Sequence, residues 1–218
     1  MARQLRGVTG MFKVGLQLFT AEGPRAVQKL AGLGFDVFLD LKFHDIPNTV
    51  AGAVAAAAKL PRVRLLNLHA SGGVEMMRAA REAAGSGKNR PALLAVTILT
   101  SLDAPALRRM GMSGSPASRG LALARLAKQA GMDGVVASAH EARSIRHACG
   151  PKFLIVVPGV RPVAASLNDQ SRVATPAEAI HAGADYLVVG RPITAAKNPR
   201  TAALAISNEI EMATREAR

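Results

Sequence analysis

Tryptophan is absent from the sequence, aromatic residues make up only 3% of it, and cysteine occurs once, as Cys149. A single cysteine excludes an intramolecular disulfide and favours a reducing, cytoplasmic setting. No apolar run approaches the roughly 20 residues that a membrane-spanning helix needs. The first ten residues are basic but lack the apolar core of a signal peptide. We therefore expect a cytoplasmic protein that has no membrane partner.

Positive charge is in excess, because 28 Lys and Arg against 15 Asp and Glu give a formal net charge of +13 at pH 7. Such an excess is typical of nucleic-acid-binding proteins, whose basic side chains neutralise phosphates. Here the arginines are scattered without a basic run, and few aromatic side chains are present to stack on bases. A basic surface that attracts small anionic substrates explains the charge as well. We therefore expect no nucleic-acid partner.

Small aliphatic residues dominate the composition instead. A chain of 218 residues is long enough for one large domain with a substantial core, and we expect that domain to span residues 1–218. Apolar runs typical of strands begin near residues 12, 36, 64, 92, 134, 153 and 185. Helical patterns separate all of them, although residues 16–23 and 100–118 carry no predicted helix. This α/β alternation predicts parallel strands with crossover helices, in a doubly wound sheet or a (β/α)8 barrel.

Polar residues that follow the predicted strands favour the barrel. They are Asp40 and Lys42, His69, Thr100 and Ser101, Arg161, and Gly190 and Arg191. A barrel of the TIM type collects its site from many strand ends, whereas an open sheet mainly uses the point where the strand order reverses. Only seven strands are predicted, and such a barrel has eight. We therefore expect the first strand to be missing ahead of Met11, with two unpaired sheet edges and poor stability or aggregation as the result.

The most informative stretch runs from Asp36 to Thr49, where a buried strand ends in three charged residues, Asp40, Lys42 and Asp45. Side chains alternate between the faces of a strand, so Asp40 and Lys42 are expected to point the same way. An acid beside an ammonium at the end of a buried strand is costly to desolvate. A structural ion pair is one explanation. The third charge and the turn that opens a helix favour a functional site.

Two further segments give weaker signals. Gly190 and Arg191 follow the last strand, where backbone N–H groups can bind a phosphate, although ordinary strand-to-helix turns use glycine too. Arg161 supplies a second cation at the neighbouring strand end. The loop over residues 163–174 is either a segment that folds over a ligand and excludes water or plain disorder.

No cofactor and no metal are predicted. The histidines have no metal-ligand spacing among them, and His69 is interpreted as a core histidine. Asp40 and Asp45 are suitable Mg²⁺ ligands, but Lys42 between them competes for their carboxylates. The sequence contains no dinucleotide fingerprint, P-loop or nucleophile-elbow motif.

Five segments together resemble the orotidine 5′-phosphate decarboxylases, in order and over essentially the whole chain. They are residues 12–15 (FKVG), 40–49 (DLKFHDIPNT), 158–161 (PGVR), 169–170 (DQ) and 189–193 (VGRPI). The resemblance implies a homodimeric (β/α)8 barrel that converts orotidine 5′-phosphate to UMP and CO₂, the last step of de novo pyrimidine nucleotide synthesis, without a cofactor. The family's first strand, with its ribose-binding aspartate, has no counterpart in the sequence.

The resemblance also implies roles for individual residues. Lys42 would donate the proton to C6, Asp40 would lie beside the departing carboxylate, and Lys13 would hold Asp40 and the ribose. Asp45 and Thr49 would act in the partner subunit's site, so that two complete sites need the dimer. Thr100 and Ser101 would contact the pyrimidine. The phosphate would be bound by Arg161, Gly190 and Arg191. Gln170 would bridge the loop to both the phosphate and the base.

The chemistry fits these residue types independently of the resemblance. Loss of CO₂ from C6 leaves a carbanion without an electron sink in the ring, and a fixed ammonium stabilises that charge where it develops. Two alternatives stay open. One is an Mg²⁺-dependent sugar-phosphate decarboxylase of the same superfamily, which shares the D-x-K-x-x-D core, although residues 46–49 and 169–170 argue against it. The other is a catalytically impaired barrel that binds nucleotide phosphates.

Overall fold

The computed structural model describes residues 1–87, 89–162 and 173–216. Within these residues seven strands form one parallel sheet whose strand order is the chain order. The strands are Met11–Gly15 (β1), Asp36–Phe43 (β2), Val63–His69 (β3), Ala92–Val96 (β4), Gly134–Val136 (β5), Leu154–Pro158 (β6) and Tyr186–Val188 (β7). Every neighbouring pair runs parallel, as strict β–α alternation requires.

Helices follow the strands and cover the outer face of the sheet. The α-helices are Leu16–Glu22 (α1), Pro24–Gly32 (α2), Pro47–Ala58 (α3), Gly73–Ala83 (α4), Ala104–Arg109 (α5), Pro116–Gln129 (α6), Ala139–Cys149 (α7), Pro176–His181 (α8), Arg191–Thr194 (α9) and Pro199–Glu216 (α10). Short 3₁₀ helices occupy Ala2–Leu5 and Ala70–Gly72. No helix in the described part of the chain is long and apolar enough to cross a membrane.

Capping side chains fix several helix starts. Thr175 accepts a hydrogen bond from the backbone N–H of Glu178, and the Glu178 carboxylate accepts one from the N–H of Thr175. Ser138 and Glu141 form the same capping box at the start of α7. Each box satisfies two backbone donors that the helix itself leaves without partners.

Two apolar clusters lie on opposite faces of the sheet. The larger cluster packs between the sheet and the helices. The smaller one consists of alternate residues from successive strands, namely Phe38, Leu65, Leu94, Val96, Val136 and Val156, with Met11 of β1 and Val188 of β7 packed against it. All seven strands therefore turn one face inward around a common centre, which is the packing of a barrel interior.

The sheet order ends at β1 and β7, and these two strands do not pair with each other in the described residues. The helices that follow these two edge strands, α1 and α9, contain no fully buried residue. In α1, the side chains of Leu16 and Leu18 are 55% and 45% exposed. The prediction of a TIM-type barrel with seven strands is confirmed. The low stability expected from two such edges stays a prediction.

Two helices differ from the sequence prediction. Helix α1 begins directly after β1 and α5 lies between β4 and α6, in the two segments for which no helix was predicted. Neither is longer than seven residues, and only Leu107 of α5 is fully buried. Such short helices show too few apolar repeats for periodicity to identify them.

Candidate active site

The charged residues predicted for the site lie one layer above the inner apolar cluster. Each of the first three strands contributes one residue to that cluster, and two positions further along the same strands stand Lys13, Asp40 and Asn67. Because side chains alternate along a strand, these three point into the barrel. They therefore lie at its carboxyl-terminal rim, where barrels of this type carry their active sites.

Asp40 is the centre of the cluster. One carboxylate oxygen, Oδ1, lies 2.5 Å from Nζ of Lys42, and the other, Oδ2, lies 3.1 Å from Nζ of Lys13. Oδ1 also accepts a hydrogen bond of 2.7 Å from Nδ2 of Asn67. The Asp40 side chain is only 11% exposed, whereas those of Lys42 and Lys13 are 29% and 37% exposed. A buried carboxylate thus holds two ammonium groups on partly exposed side chains.

Lys42 owes its position to an irregularity in β2. Leu39 pairs with Leu66 and Phe43 pairs with Leu68, so the three residues 40–42 lie opposite the single residue Asn67. Lys42 itself has φ 51°, a left-handed conformation that is uncommon for residues other than glycine. The prediction that Asp40 and Lys42 meet is right in outcome, but regular alternation is not its cause, because a bulge re-aims the lysine.

The electrostatics favour the charged form of Asp40. Burial alone raises the pKa of this carboxyl group, since a charge is poorly solvated there. The hydrogen bond from Lys42, the charges of Lys13 and Lys42 and the hydrogen bond from Asn67 outweigh burial, so the pKa lies below its ordinary value. Asp40 is therefore a permanent anion at neutral pH.

His69, interpreted from the sequence as a core histidine, ends β3 beside this cluster. It is half-buried, and its ring lies 5.3 Å, centroid to centroid, from the ring of the exposed His44. Burial lowers its pKa, the neighbouring His44 and the Lys42 ammonium lower it further, and the Asp40 carboxylate opposes them. His69 is therefore neutral at pH 7 and adds no third positive charge near Lys42.

The two predicted phosphate-binding segments come together at the ends of β6 and β7. Pro158 pairs with Val188, so the residues that follow each strand leave the same part of the rim. Arg161 is 8% exposed and its Nη1 donates to the carbonyl of Val160 at 3.0 Å. Gly190 caps the four-residue helix α9, whose first residue is the exposed Arg191. Two arginines thus stand in the segments that follow β6 and β7.

Thr100 and Ser101 follow β4 on the same rim. Thr100 is buried, at 9% exposure, whereas Ser101 is exposed. Gln170, predicted to bridge the loop to the ligand, lies outside the described residues.

Asp45 and Thr49 lie apart from the cluster within this chain. Both are exposed, and Oδ1 of Asp45 accepts a hydrogen bond of 2.7 Å from the N–H of Ile46 instead of joining an ion pair with Lys42. Ile46, at the start of α3, is 66% exposed. The predicted role of Asp45 and Thr49 in a partner's site stays a prediction.

Asn67 was not identified from the sequence. It lies within the apolar run Leu65-Leu66-Asn67-Leu68 and is fully buried. An amide in such a run is a signal, because a buried polar side chain needs hydrogen-bond partners. Only the pairing of β2 with β3 reveals that those partners are Asp40 and Lys42.

The fold and this rim define a (β/α)-barrel enzyme with a carboxylate–ammonium centre at the ends of β1–β3 and two arginines in the segments that follow β6 and β7. Comparison with known proteins narrows the class. Residues 1–206 match the model of the Orotidine 5'-phosphate decarboxylase / HUMPS family. The chain belongs to this family.

Individual relatives agree with that assignment. The chain is 54% identical to an orotidine 5'-phosphate decarboxylase of Moorella thermoacetica over 215 residues, which cover 96% of this chain and 85% of the relative. It is 56% identical to one of Geobacter sulfurreducens over 212 residues, which cover 96% and 88%. The crystal structure of an orotidine 5'-phosphate decarboxylase from Lactobacillus acidophilus superposes with a TM-score of 0.79 at 40% identity, covering 91% of this chain and 85% of that one.

Proposed function

We propose that this protein decarboxylates orotidine 5′-phosphate to UMP and CO₂ without a cofactor. The observation that carries the proposal is the Asp40 carboxylate, fixed between the ammonium groups of Lys42 and Lys13 at the barrel rim, in a chain of this family. An ammonium held this way supports the one chemical event that the reaction needs, which is protonation of a carbon that has just lost a carboxylate.

The reaction balances with the groups of the site. The bond between C6 and its carboxylate breaks, CO₂ leaves, and the electron pair stays on C6. The ammonium of Lys42 stabilises this negative charge as it develops and then transfers its proton to C6. The neutral amine that results regains a proton from solvent, which its partly exposed side chain can reach.

Asp40 has two roles in this scheme. Its hydrogen bond to Lys42 orients the ammonium before substrate arrives, so that no reorganisation is needed during the reaction. Its low pKa keeps the carboxylate charged beside the substrate carboxylate, and loss of that second negative charge as CO₂ relieves the repulsion.

Substrate binding is assigned to the rest of the rim. Lys13 faces the ribose, Thr100 and Ser101 contact the pyrimidine, and Arg161 with Gly190 and Arg191 bind the phosphate; Gln170, outside the described residues, is assigned to the loop contact. A dianionic phosphate suits two guanidinium groups, of which Arg161 is already desolvated. Binding energy from the phosphate can then position the pyrimidine above Lys42.

A homodimer is part of the proposal. Asp45, Ile46 and Thr49 are exposed at the start of α3, next to the rim. A second copy placed against this surface would receive Asp45 near its own Lys42. We also propose that the enzyme works in the cytoplasm, in keeping with its single cysteine.

The test is an ultraviolet assay of orotidine 5′-phosphate loss with the purified protein. We expect stoichiometric UMP and CO₂, unchanged turnover after treatment with EDTA, and loss of turnover in Lys42→Ala. Activity that EDTA abolishes and Mg²⁺ restores would support the metal-dependent alternative instead. UMP binding without turnover would show a nucleotide-phosphate-binding barrel.

A further inference from the structure

We propose that Asn67 is a positioning residue for the reaction, one that sets both the Asp40 carboxylate and the backbone of Lys42. The inference rests on the proposed function, because positioning has meaning only if Lys42 and Asp40 act on substrate. Asn67 itself is placed behind these two residues and does not touch the reacting atoms.

The bulge in β2 creates the need that Asn67 meets. Three residues of β2 lie opposite Asn67, so the regular hydrogen bonds between β2 and β3 are interrupted there. The Asn67 side chain replaces them on both sides. Its Oδ1 accepts a bond of 2.8 Å from the backbone N–H of Lys42, and its Nδ2 donates a bond of 2.7 Å to Oδ1 of Asp40.

The chemistry of the partners fixes which way the amide points. A backbone N–H can only donate, and an ionised carboxylate can only accept. Asn67 offers both, an acceptor to the N–H of Lys42 and a donor to the carboxylate of Asp40, at the required places. An aspartate or a leucine of similar size would lose one or both bonds.

Backbone strain at Lys42 and the burial of Asn67 support the same role. Lys42 adopts φ 51°, and such a conformation persists only when its surroundings hold it. Asn67 is fully buried, so water does not replace its amide if the side chain is lost. Without it, the Lys42 backbone loses the partner of its N–H, and Asp40 loses the uncharged donor that Asn67 provides.

The experiment compares Asn67→Asp and Asn67→Leu with the intact enzyme. Asn67→Asp keeps the acceptor for Lys42 but loses the donor to Asp40, and it places a second carboxylate there. Asn67→Leu loses both bonds at similar volume. The matched control is Thr97→Val, since Thr97 is also buried on the sheet but its hydroxyl donates to the carbonyl of Val136 at 3.2 Å, on the neighbouring strand β5.

We expect kcat to fall about 10- to 100-fold in Asn67→Asp and further in Asn67→Leu, the size of effect that loss of a hydrogen bond to a charged group produces. KM and the dissociation constant of UMP should stay within about threefold, because the phosphate contacts are unchanged. Thr97→Val should keep kcat within about twofold. A parallel loss of UMP affinity and kcat in both Asn67 variants would overturn the proposal.

The second readout is pH. Asp40 faces Lys13 from β1, Lys42 from its own strand and His69 from β3, and these groups stay the same in Asn67→Asp. The new carboxylate should raise the pKa of Asp40, so the acid limb of the kcat profile should move to higher pH. A limb that stays in place would contradict the proposed contact.

A third readout does not need turnover. Carbon-13 NMR of the Asp40 carboxyl, assigned by its loss in Asp40→Asn, should show titration at higher pH in both Asn67 variants than in the unmodified chain. Unchanged titration overturns the role of Asn67, whereas an unmodified chain that fails to release CO₂ overturns the proposed function. The two failures are therefore separate results.

Discussion

Replacement of Asp40 by asparagine is the most informative perturbation of the site. The carboxylate holds Lys42 at 2.5 Å and Lys13 at 3.1 Å, and the amide that replaces it leaves two ammonium groups without their common counter-ion. Removing one partner of a fully buried ion pair costs roughly 3–5 kcal/mol. Both lysines are partly exposed here, and solvent screens their repulsion. We therefore expect Asp40→Asn to lower the free energy of unfolding by about 2–3 kcal/mol.

The assay is urea unfolding at pH 7 together with steady-state kinetics on the same preparations. Asp36→Asn is the matched control, because Asp36 lies at the other end of the same strand and also pairs with two cations, Arg62 at 3.0 Å and Arg64 at 3.2 Å. The Asp36 side chain is 29% exposed, so Asp36→Asn should lower the free energy of unfolding by about 1 kcal/mol or less. Asp36→Asn should retain full turnover, whereas Asp40→Asn should lose at least about 100-fold in kcat.

The double variant Asp40→Asn with Lys13→Met isolates the repulsion between the two ammonium groups. If that repulsion causes the instability, removing Lys13 should restore part of the lost stability without restoring turnover. Equal stability losses in Asp40→Asn and Asp36→Asn, or an active Asp40→Asn enzyme, would refute the reasoning.

Three further predictions concern the frame, the phosphate and pH. A Cβ at Gly134 would lie 2.2 Å from the carbonyl oxygen of Leu154, so Gly134→Ala should prevent stable folding. A Cβ at Gly52 in α3 meets open space, so Gly52→Ala should raise the melting temperature. Thermal unfolding checks both variants. Arg161→Ala should raise KM and the UMP dissociation constant about 10- to 100-fold, measured by kinetics and calorimetry. Folding lowers the pKa of Asp40, so the stability that its charged form contributes is complete above about pH 4 and is lost as the pH falls further. Urea unfolding between pH 3 and 6 should therefore show a smaller fall in the free energy of unfolding with acid in Asp40→Asn than in the unmodified protein.

Much of the fold could be predicted because buried parallel strands read as uninterrupted apolar runs. Segments such as Leu154–Pro158 are packed on both faces of the sheet and are followed by a glycine. Their length and their flanking residues therefore identify them as strands. Helix α1 escaped prediction for the opposite reason. It buries no side chain fully, so no apolar stripe distinguishes it from a turn.

The site was predictable where residues are close in sequence and less so where they are not. Asp40 and Lys42 stand two positions apart, and that spacing predicted that they point the same way, although regular alternation is not what brings them into contact. The bulge that creates the contact, and the role of Asn67 in it, depend on the register between β2 and β3. That register is set by packing across the whole sheet, which local sequence does not reveal.

The central claim is that the ammonium of Lys42 delivers the proton to C6. It is tested most directly by comparing single-turnover decarboxylation and UMP binding in Lys42→Ala and the unmodified protein. The account predicts that decarboxylation falls by at least about 10⁴-fold, since the variant loses both charge stabilisation and the proton donor, while UMP affinity is retained. A Lys42→Ala protein that releases CO₂ at the unmodified rate would contradict it.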